Sequence, residues 1–154
     1  MPKSFELKPD SRWTAKVGDC DSLAEVASGW PVHASTPVAI AHMLRVSREL
    51  FVHGYFVYDF LMVAAVQSLL AVEAALRDVL KEPPRRRGPT FHPLVERAAA
   101  LGYLTTEAAE KAKAGAQLRN RWVHVEGQKV IPPGMAAEIL GTSHQLVADM
   151  YDAC

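Results

Sequence analysis

The sequence predicts an all-α protein, a bundle of four or five helices behind an irregular N-terminal segment. Apolar residues recur at helical spacing through most of residues 36–154, and start and stop signals separate these stretches from one another. No internal repeat or low-complexity tract interrupts them. With 154 residues, of which 49% are hydrophobic, the chain is long and apolar enough to bury one core.

Residues 1–35 are the predicted N-terminal extension, and residues 36–154 the helical domain. Polar residues, glycines and prolines are scattered through the extension without a sustained period. The stretch SRWTAKVGD, residues 11–19, has some strand character, but we expect mostly irregular chain laid over the domain.

The first predicted helix covers about residues 37–52. Ser35 and Thr36 precede Pro37, which is the order of a hydroxyl cap followed by proline at the first helical position. Gly54 marks the end of this helix.

A longer helix, about residues 56–82, is apolar nearly all round and is predicted to be the central element. Pro83 and Pro84 end it, because proline cannot continue a helix. Its uninterrupted apolar run covers only residues 60–66, whereas a membrane span needs about 20 apolar residues. We therefore expect a soluble, cytoplasmic protein with no membrane partner, and its two distant cysteines are expected to be free thiols.

Three further helices follow the arginine-rich loop that comes after the central helix. A short helix begins near Pro93 and closes at Gly102. The next begins near residues 105–107 and runs to Gly127, and a last helix covers about residues 135–152.

Acidic and basic residues balance, with 17 of each, so the formal net charge is zero at pH 7. No global field draws the protein onto a polyanion, and any nucleic-acid binding must come from a local patch. Arg85, Arg86 and Arg87 form one such patch in a loop. They could guide RNA, although an arginine run of this kind is more often a solvated surface.

Most of the candidate functional side chains lie in one stretch, QLRNRWVHVEG, residues 117–127, near the end of the second-last helix. At about 100° per residue, Leu118, Trp122 and Val125 share a buried stripe. Cationic residues are common near a helix C-terminus because the helix dipole stabilises them. Spacing alone therefore favours an ordinary helix end.

The polar residues of this stretch lie on the other sides of the helix. Asn120 and His124 are four residues apart and therefore neighbours, and Arg121 lies beside His124 at three residues' spacing. Arg119 is about 140° round from His124, so the two can meet only through a long side chain or a partner molecule.

These residues resemble the signature of the HEPN superfamily, an arginine followed by a polar residue, commonly asparagine, and later a histidine. Here the pattern is Arg119, Asn120 and, with four residues between it and the arginine, His124. The central helix carries a second run similar to the family's, at Leu69, Glu73, Leu76 and Arg77. The resemblance covers about residues 40–153.

The resemblance implies a metal-independent endoribonuclease with no cofactor, acting as a homodimer in which two motif helices meet at a cleft. Arg119 would clamp phosphate oxygens of RNA, His124 would act as acid or base, and Asn120 would orient the histidine or the phosphate. Arg121 would make a second phosphate contact or face solvent. A toxin or phage-defence role is implied as well, with an antitoxin or regulatory protein as partner.

Glu73 lies in the most apolar helix, where an unpaired carboxylate would be costly. An intrahelical ion pair with Arg77, four residues later, is the favoured interpretation. The alternative is that Glu73 faces the motif helix and holds Arg119 or Asn120, which would give it a role at the substrate site.

The sequence also allows a function of another class, a non-catalytic helical dimer that binds a nucleotide, an RNA or another protein. The motif would then be a polar cluster at the dimer interface. Zero net charge gives no support for broad RNA affinity, whereas the intact motif favours the enzyme.

Overall fold

In the computed structural model, the described residues are 7–13, 19–84, 86–123 and 130–154. They contain six α-helices and no strand, which confirms the all-α class. The helices are α1 (Cys20–Ser28), α2 (Val38–His53), α3 (Phe60–Val79), α4 (Phe91–Ala100), α5 (Thr106–Val123) and α6 (Pro133–Asp152). The count exceeds the four or five predicted, because α1 lies in the segment that was expected to be irregular.

The helix α3 is the central element, as predicted. It packs between α2 and α6 and also contacts α4 and α5. Its buried residues include Leu61, Ala65, Val72 and Leu76. By length and by a mean hydropathy of 1.6 it could also cross a membrane, but 61% of its most apolar window is buried inside the protein.

The end of α3 comes at Val79, before the predicted end at residue 82. Lys81 adopts a left-handed backbone conformation, with φ 55°. The N–H of Glu82 donates to the Arg77 carbonyl at 2.8 Å. This bond satisfies one of the last helical carbonyls, so the backbone turns away before Pro83 is reached.

The hydroxyl cap predicted for α2 is wrong. Pro37 itself occupies the cap position, with φ −55° and ψ 143°, and no side chain caps the helix. Thr36 Oγ1 is buried with no hydrogen bond partner among the described residues. Because proline takes the cap position, the hydroxyl lies one residue too early to reach the free N–H groups. The predicted end is confirmed, since the Gly54 N–H donates to the Leu50 carbonyl at 2.9 Å.

The prediction of an irregular N-terminal extension is wrong for the residues that form α1. Asp19 caps this helix by accepting a hydrogen bond from the Ser22 N–H at 2.9 Å. Leu23 and Ala27, four residues apart, are buried where α1 packs on α2 and α6. Nine residues are too few to show a sustained period in the sequence.

Residues 10–13 lie over the turn between α2 and α3. The Asp10 N–H donates to the Tyr55 carbonyl at 2.9 Å. Residues 11 and 12 form a turn rather than the strand considered for 11–19, and 14–18 lie outside the described residues. Residues 10–13 are thus fastened to the corner at which the central helix begins.

Candidate functional site

The motif residues lie on α5, which packs close against α3. The start of α5 is as predicted, with Thr105 Oγ1 accepting from the Ala108 N–H at 3.1 Å. At Gly115 the helices approach so closely that an added methyl group would lie 2.6 Å from Leu69 Cδ2. This approach brings the next turn of α5 within reach of Glu73.

Arg119 faces the interface between the two helices and is 4% exposed. Its Nη1 donates to Glu73 Oε2, which joins residues 46 apart in the sequence. The guanidinium carbon lies 5.8 Å from the centre of the ring of Phe91, the first residue of α4. A buried guanidinium without a partner would be costly, so the Glu73 carboxylate is what stabilises Arg119 in this position.

Glu73 is 7% exposed and accepts hydrogen bonds from two arginines. Arg77 Nη2 donates to Oε1 at 3.0 Å, and Arg119 Nη1 donates to Oε2. The favoured intrahelical pair and the alternative contact to the motif helix are therefore both present. Burial alone raises the pKa of Glu73, but hydrogen bonds from Arg119 and Arg77 outweigh it and hold that pKa below its ordinary value.

Arg77 connects Glu73 to the loop that follows α3. Its side chain is 11% exposed, and its guanidinium donates to the Pro83 carbonyl at 3.2 Å and to the Pro89 carbonyl at 2.9 Å. We call Arg77, Glu73 and Arg119 the arginine–glutamate cluster. It contains two positive charges and one negative charge, and the surplus positive charge would favour an anion at its edge.

The two motif residues after Arg119 are at the surface. Asn120 and Arg121 are both exposed in the last turns of α5. His124 lies outside the described residues, so its proximity to Asn120 and Arg121 stays a prediction. The Arg119 guanidinium is turned into the protein, and Arg121 is therefore the motif arginine that solvent reaches directly.

The buried apolar stripe predicted for α5 is confirmed at Trp122 and only in part at Leu118. Trp122 is 6% exposed and belongs to the same buried cluster as Leu61 and Ala65 of α3. Leu118 is half-buried and lines the groove between α5 and α6. Val125, the third predicted position, lies outside the described residues.

The motif helix and the neighbouring α3 both carry exposed apolar side chains. The helix α6 packs along one flank of α5, and helical spacing places Asn120 and Val123 on the other flank. Val123 is 64% exposed. On the neighbouring α3, Val63 is 44% and Leu70 37% exposed, and residues 60–72 contain no charged side chain.

Two adjoining grooves open between α5 and α6. One, about 230 Å³ in volume, has apolar walls, and the other, about 360 Å³, has polar ones. They share Lys111, Thr142 and Leu146, and neither is lined by Arg119, Asn120 or Arg121. Within the described part of the chain, no group of three or more His, Cys, Asp and Glu side chains could hold a metal ion.

A second buried polar group centres on His144, which nothing in the sequence distinguishes. The ring is fully buried, with Nδ1 3.1 Å from the Pro31 carbonyl oxygen and Nε2 3.4 Å from Ser47 Oγ. Burial lowers the pKa of His144 to about 4. With this pKa the imidazole is neutral at pH 7 and joins α6 to α2 and to the segment after α1.

Comparison with known proteins gives no match: no family model fits the chain, and no curated protein or solved structure matches it. The HEPN resemblance therefore depends on this chain's own residues, those of α3 and α5.

Proposed function

We propose that the protein is a cytoplasmic, metal-independent endoribonuclease of the HEPN type whose site is formed by two copies of the chain. The observation that supports this best is the bond between Arg119 and Glu73. The two residues come from the two separate stretches of sequence that resemble the family, and each stretch alone is a weak signal. Their meeting in one buried cluster is what a shared site would require.

The charges around the cluster suit a phosphate. Two guanidinium groups surround one carboxylate, and Arg121 adds an exposed guanidinium on the same helix as Arg119. Arginine is well matched to phosphate because its forked N–H donors can bind two oxygens at once. In this proposal Arg121 contacts the phosphate directly and Asn120 donates a hydrogen bond, while Arg119, about 160° round α5 from Arg121, holds the motif helix in place through Glu73.

The second copy of the chain is proposed to bind over the exposed apolar side chains of α3 and α5. Val63, Leu70 and Val123 are exposed there, and burying such side chains is favourable. A two-fold axis brings the same surface of both copies together, so a surface without charge avoids repulsion with its own copy. Asn120, on the same flank of α5 as Val123, would then border a cleft between two motif helices.

The proposed reaction is attack by the RNA 2′-hydroxyl oxygen on the adjacent phosphorus. The bond from phosphorus to the 5′-oxygen breaks, which leaves a 2′,3′-cyclic phosphate on one product and a 5′-hydroxyl on the other. One His124 takes the proton of the 2′-hydroxyl as general base, and a His124 imidazolium of the second copy protonates the leaving 5′-oxygen. The arginines stabilise the extra negative charge on the phosphorane oxygens.

A nuclease of this kind is proposed to act as a toxin or phage-defence effector. Uncontrolled cleavage of RNA would damage the cell that makes it, so a regulatory protein or antitoxin is the proposed partner. Co-purification of a second protein that blocks cleavage would support this part of the proposal.

The test is incubation of the purified protein with labelled RNA in EDTA, with His124→Ala beside it. We expect the wild type to cleave, with cyclic phosphate at the new 3′ ends, and His124→Ala to lose cleavage roughly a hundredfold or more. His42→Ala is the matched control, because His42 is an exposed histidine on α2, and that helix contacts neither α4 nor α5. It should cleave like the wild type.

A non-catalytic helical dimer is the second candidate, and the burial of Arg119 favours it. A residue that is 4% exposed and bonded to Glu73 is what a purely structural ion pair would look like. This candidate predicts intact RNA with every protein tested, while Arg119→Met still destabilises the fold. Cleavage that requires His124 would exclude it.

A further inference from the structure

The loop between α3 and α4 is fastened at both ends by one half-buried side chain. Arg77 Nη1 donates to the carbonyl of Pro83 at 3.2 Å, and Nη2 donates to that of Pro89 at 2.9 Å. In a loop that is simply solvated, water would satisfy these carbonyl groups, and no side chain would need to bind both of them. A guanidinium that is 11% exposed and bonded to both carbonyls fixes the positions of Pro83 and Pro89 relative to each other.

The chain between these two points is also constrained locally. The Arg87 N–H donates to the Pro84 carbonyl at 2.9 Å, which closes a turn. At Gly88, an added methyl group would lie 2.9 Å from the Pro83 carbonyl oxygen, so only glycine fits. Prolines fix φ at three positions of the loop, which leaves it few other conformations. The loop is therefore preorganised.

This preorganised loop presents Arg86 and Arg87 to solvent. The acidic residue just before the loop, Glu82, does not neutralise them, because its carboxylate is paired with Arg97 of α4. The result is a local positive surface on a protein whose net charge is zero.

The loop is connected to the candidate site through the hydrogen bonds of Arg77 and Glu73. The same Nη2 of Arg77 that donates to the loop also donates to Glu73, and Glu73 in turn binds Arg119. The residue that follows the loop is Phe91, over whose ring the Arg119 guanidinium lies. The loop and the motif helix are thus attached to one cluster.

We infer that Arg86 and Arg87 bind backbone phosphates of single-stranded RNA and hold the strand beside the motif helix. The identity of the ligand rests on the proposed function, while the position of the surface rests on the Arg77 contacts. Guanidinium groups on a preorganised loop bind phosphates with little ordering cost, and such binding is largely independent of sequence and sensitive to salt.

The test measures binding apart from cleavage. A fluorescein-labelled single-stranded RNA with 2′-O-methyl groups cannot undergo 2′-hydroxyl attack, so its anisotropy reports binding alone. The titration compares wild type with the double variant Arg86→Gln, Arg87→Gln over a series of salt concentrations in EDTA. Arg45→Glu is the matched control: it changes net charge by the same amount, and α2, which carries it, contacts neither α4 nor α5.

We expect the double variant to bind roughly tenfold more weakly at low salt, and the slope of log affinity against log salt to fall by about 1.4. Arg45→Glu should stay within about twofold of wild type, since it contacts no phosphate in this account. Thermal unfolding should be the same for the double variant and the wild type, because both arginines are exposed.

Three results would overturn the inference: no RNA binding by the wild type, unchanged binding by the double variant, or an equal loss with Arg45→Glu. The proposed function fails by a different result, intact RNA in the cleavage assay. If the protein bound RNA through Arg86 and Arg87 but never cleaved it, the RNA-binding surface would be supported and the nuclease function would be excluded.

Discussion

Arg119 on α5 and Glu73 on α3 form an ion pair whose side chains are 5% and 9% exposed. The pair joins the helix that carries the motif to the central helix of the fold. Through Arg77, the same carboxylate is also connected to the loop between α3 and α4. One buried carboxylate therefore fixes three parts of the candidate site relative to one another.

Replacing Glu73 by alanine should reduce the free energy of unfolding by roughly 3–5 kcal/mol, because the buried guanidinium of Arg119 and the half-buried one of Arg77 lose their carboxylate. Urea unfolding at pH 7 measures this. Glu107→Ala removes the carboxylate of the exposed pair with Lys111 and should have little effect. If both variants lost the same unfolding free energy, burial would not be what makes the Glu73 ion pair important for stability.

The stability of the protein should fall as the pH falls from 6.5 to 4. His144 has an ordinary pKa of 6.5 when unfolded and about 4 when folded, so in this window only the unfolded chain takes up its proton. The loss from this one group is roughly 3 kcal/mol, complete near pH 4 and absent above pH 6.5.

Urea unfolding of the wild type and of His144→Gln, each at pH 7 and pH 4.5, checks this. The variant should lose less stability between the two pH values, even if its stability at pH 7 is lower. His53→Gln, which changes an exposed histidine on α2, is the control and should follow the wild type. A pH dependence unchanged by His144→Gln would contradict the assignment.

Lys81→Gly should stabilise the protein by roughly 0.5–1 kcal/mol. Lys81 has φ 55°, a conformation that costs a residue with a Cβ about 1–2 kcal/mol, and the gain is partly offset by the greater unfolded-state entropy of glycine. Thermal unfolding measures the change. Lys81→Ala retains the Cβ and should give no such gain, so similar melting temperatures for the two variants would count against strain at this position.

Much of the helical framework could be predicted from sequence because its signals are local. Each of these signals concerns only the few residues around it, as with apolar spacing, Gly54 and Thr105. The structure confirms the helices that they indicate. The pair of Glu73 and Arg77 is local too, four residues apart. The helix α1 escaped prediction because it is short and its packing depends on α2 and α6.

The burial of Arg119 could not be predicted in the same way. Arginine is normally expected at the protein surface. Arg119 can be buried because its guanidinium pairs with the carboxylate of Glu73, 46 residues earlier in the sequence. The same is true of His144, whose partners are Pro31 and Ser47. Long-range pairing decides these positions, and no local pattern in one sequence records it.

Specific cleavage activity as a function of protein concentration, with the dimer fraction measured by sedimentation in the same buffer, shows whether two copies of the chain form one active site. A composite site predicts that activity per chain rises in proportion to the dimer fraction. Val63→Glu, which places like charges opposite each other in the proposed interface, should abolish both dimer and activity while leaving the helices folded. Constant activity per chain in a monomer, or a stable dimer that leaves RNA intact, would show that two copies form no such active site.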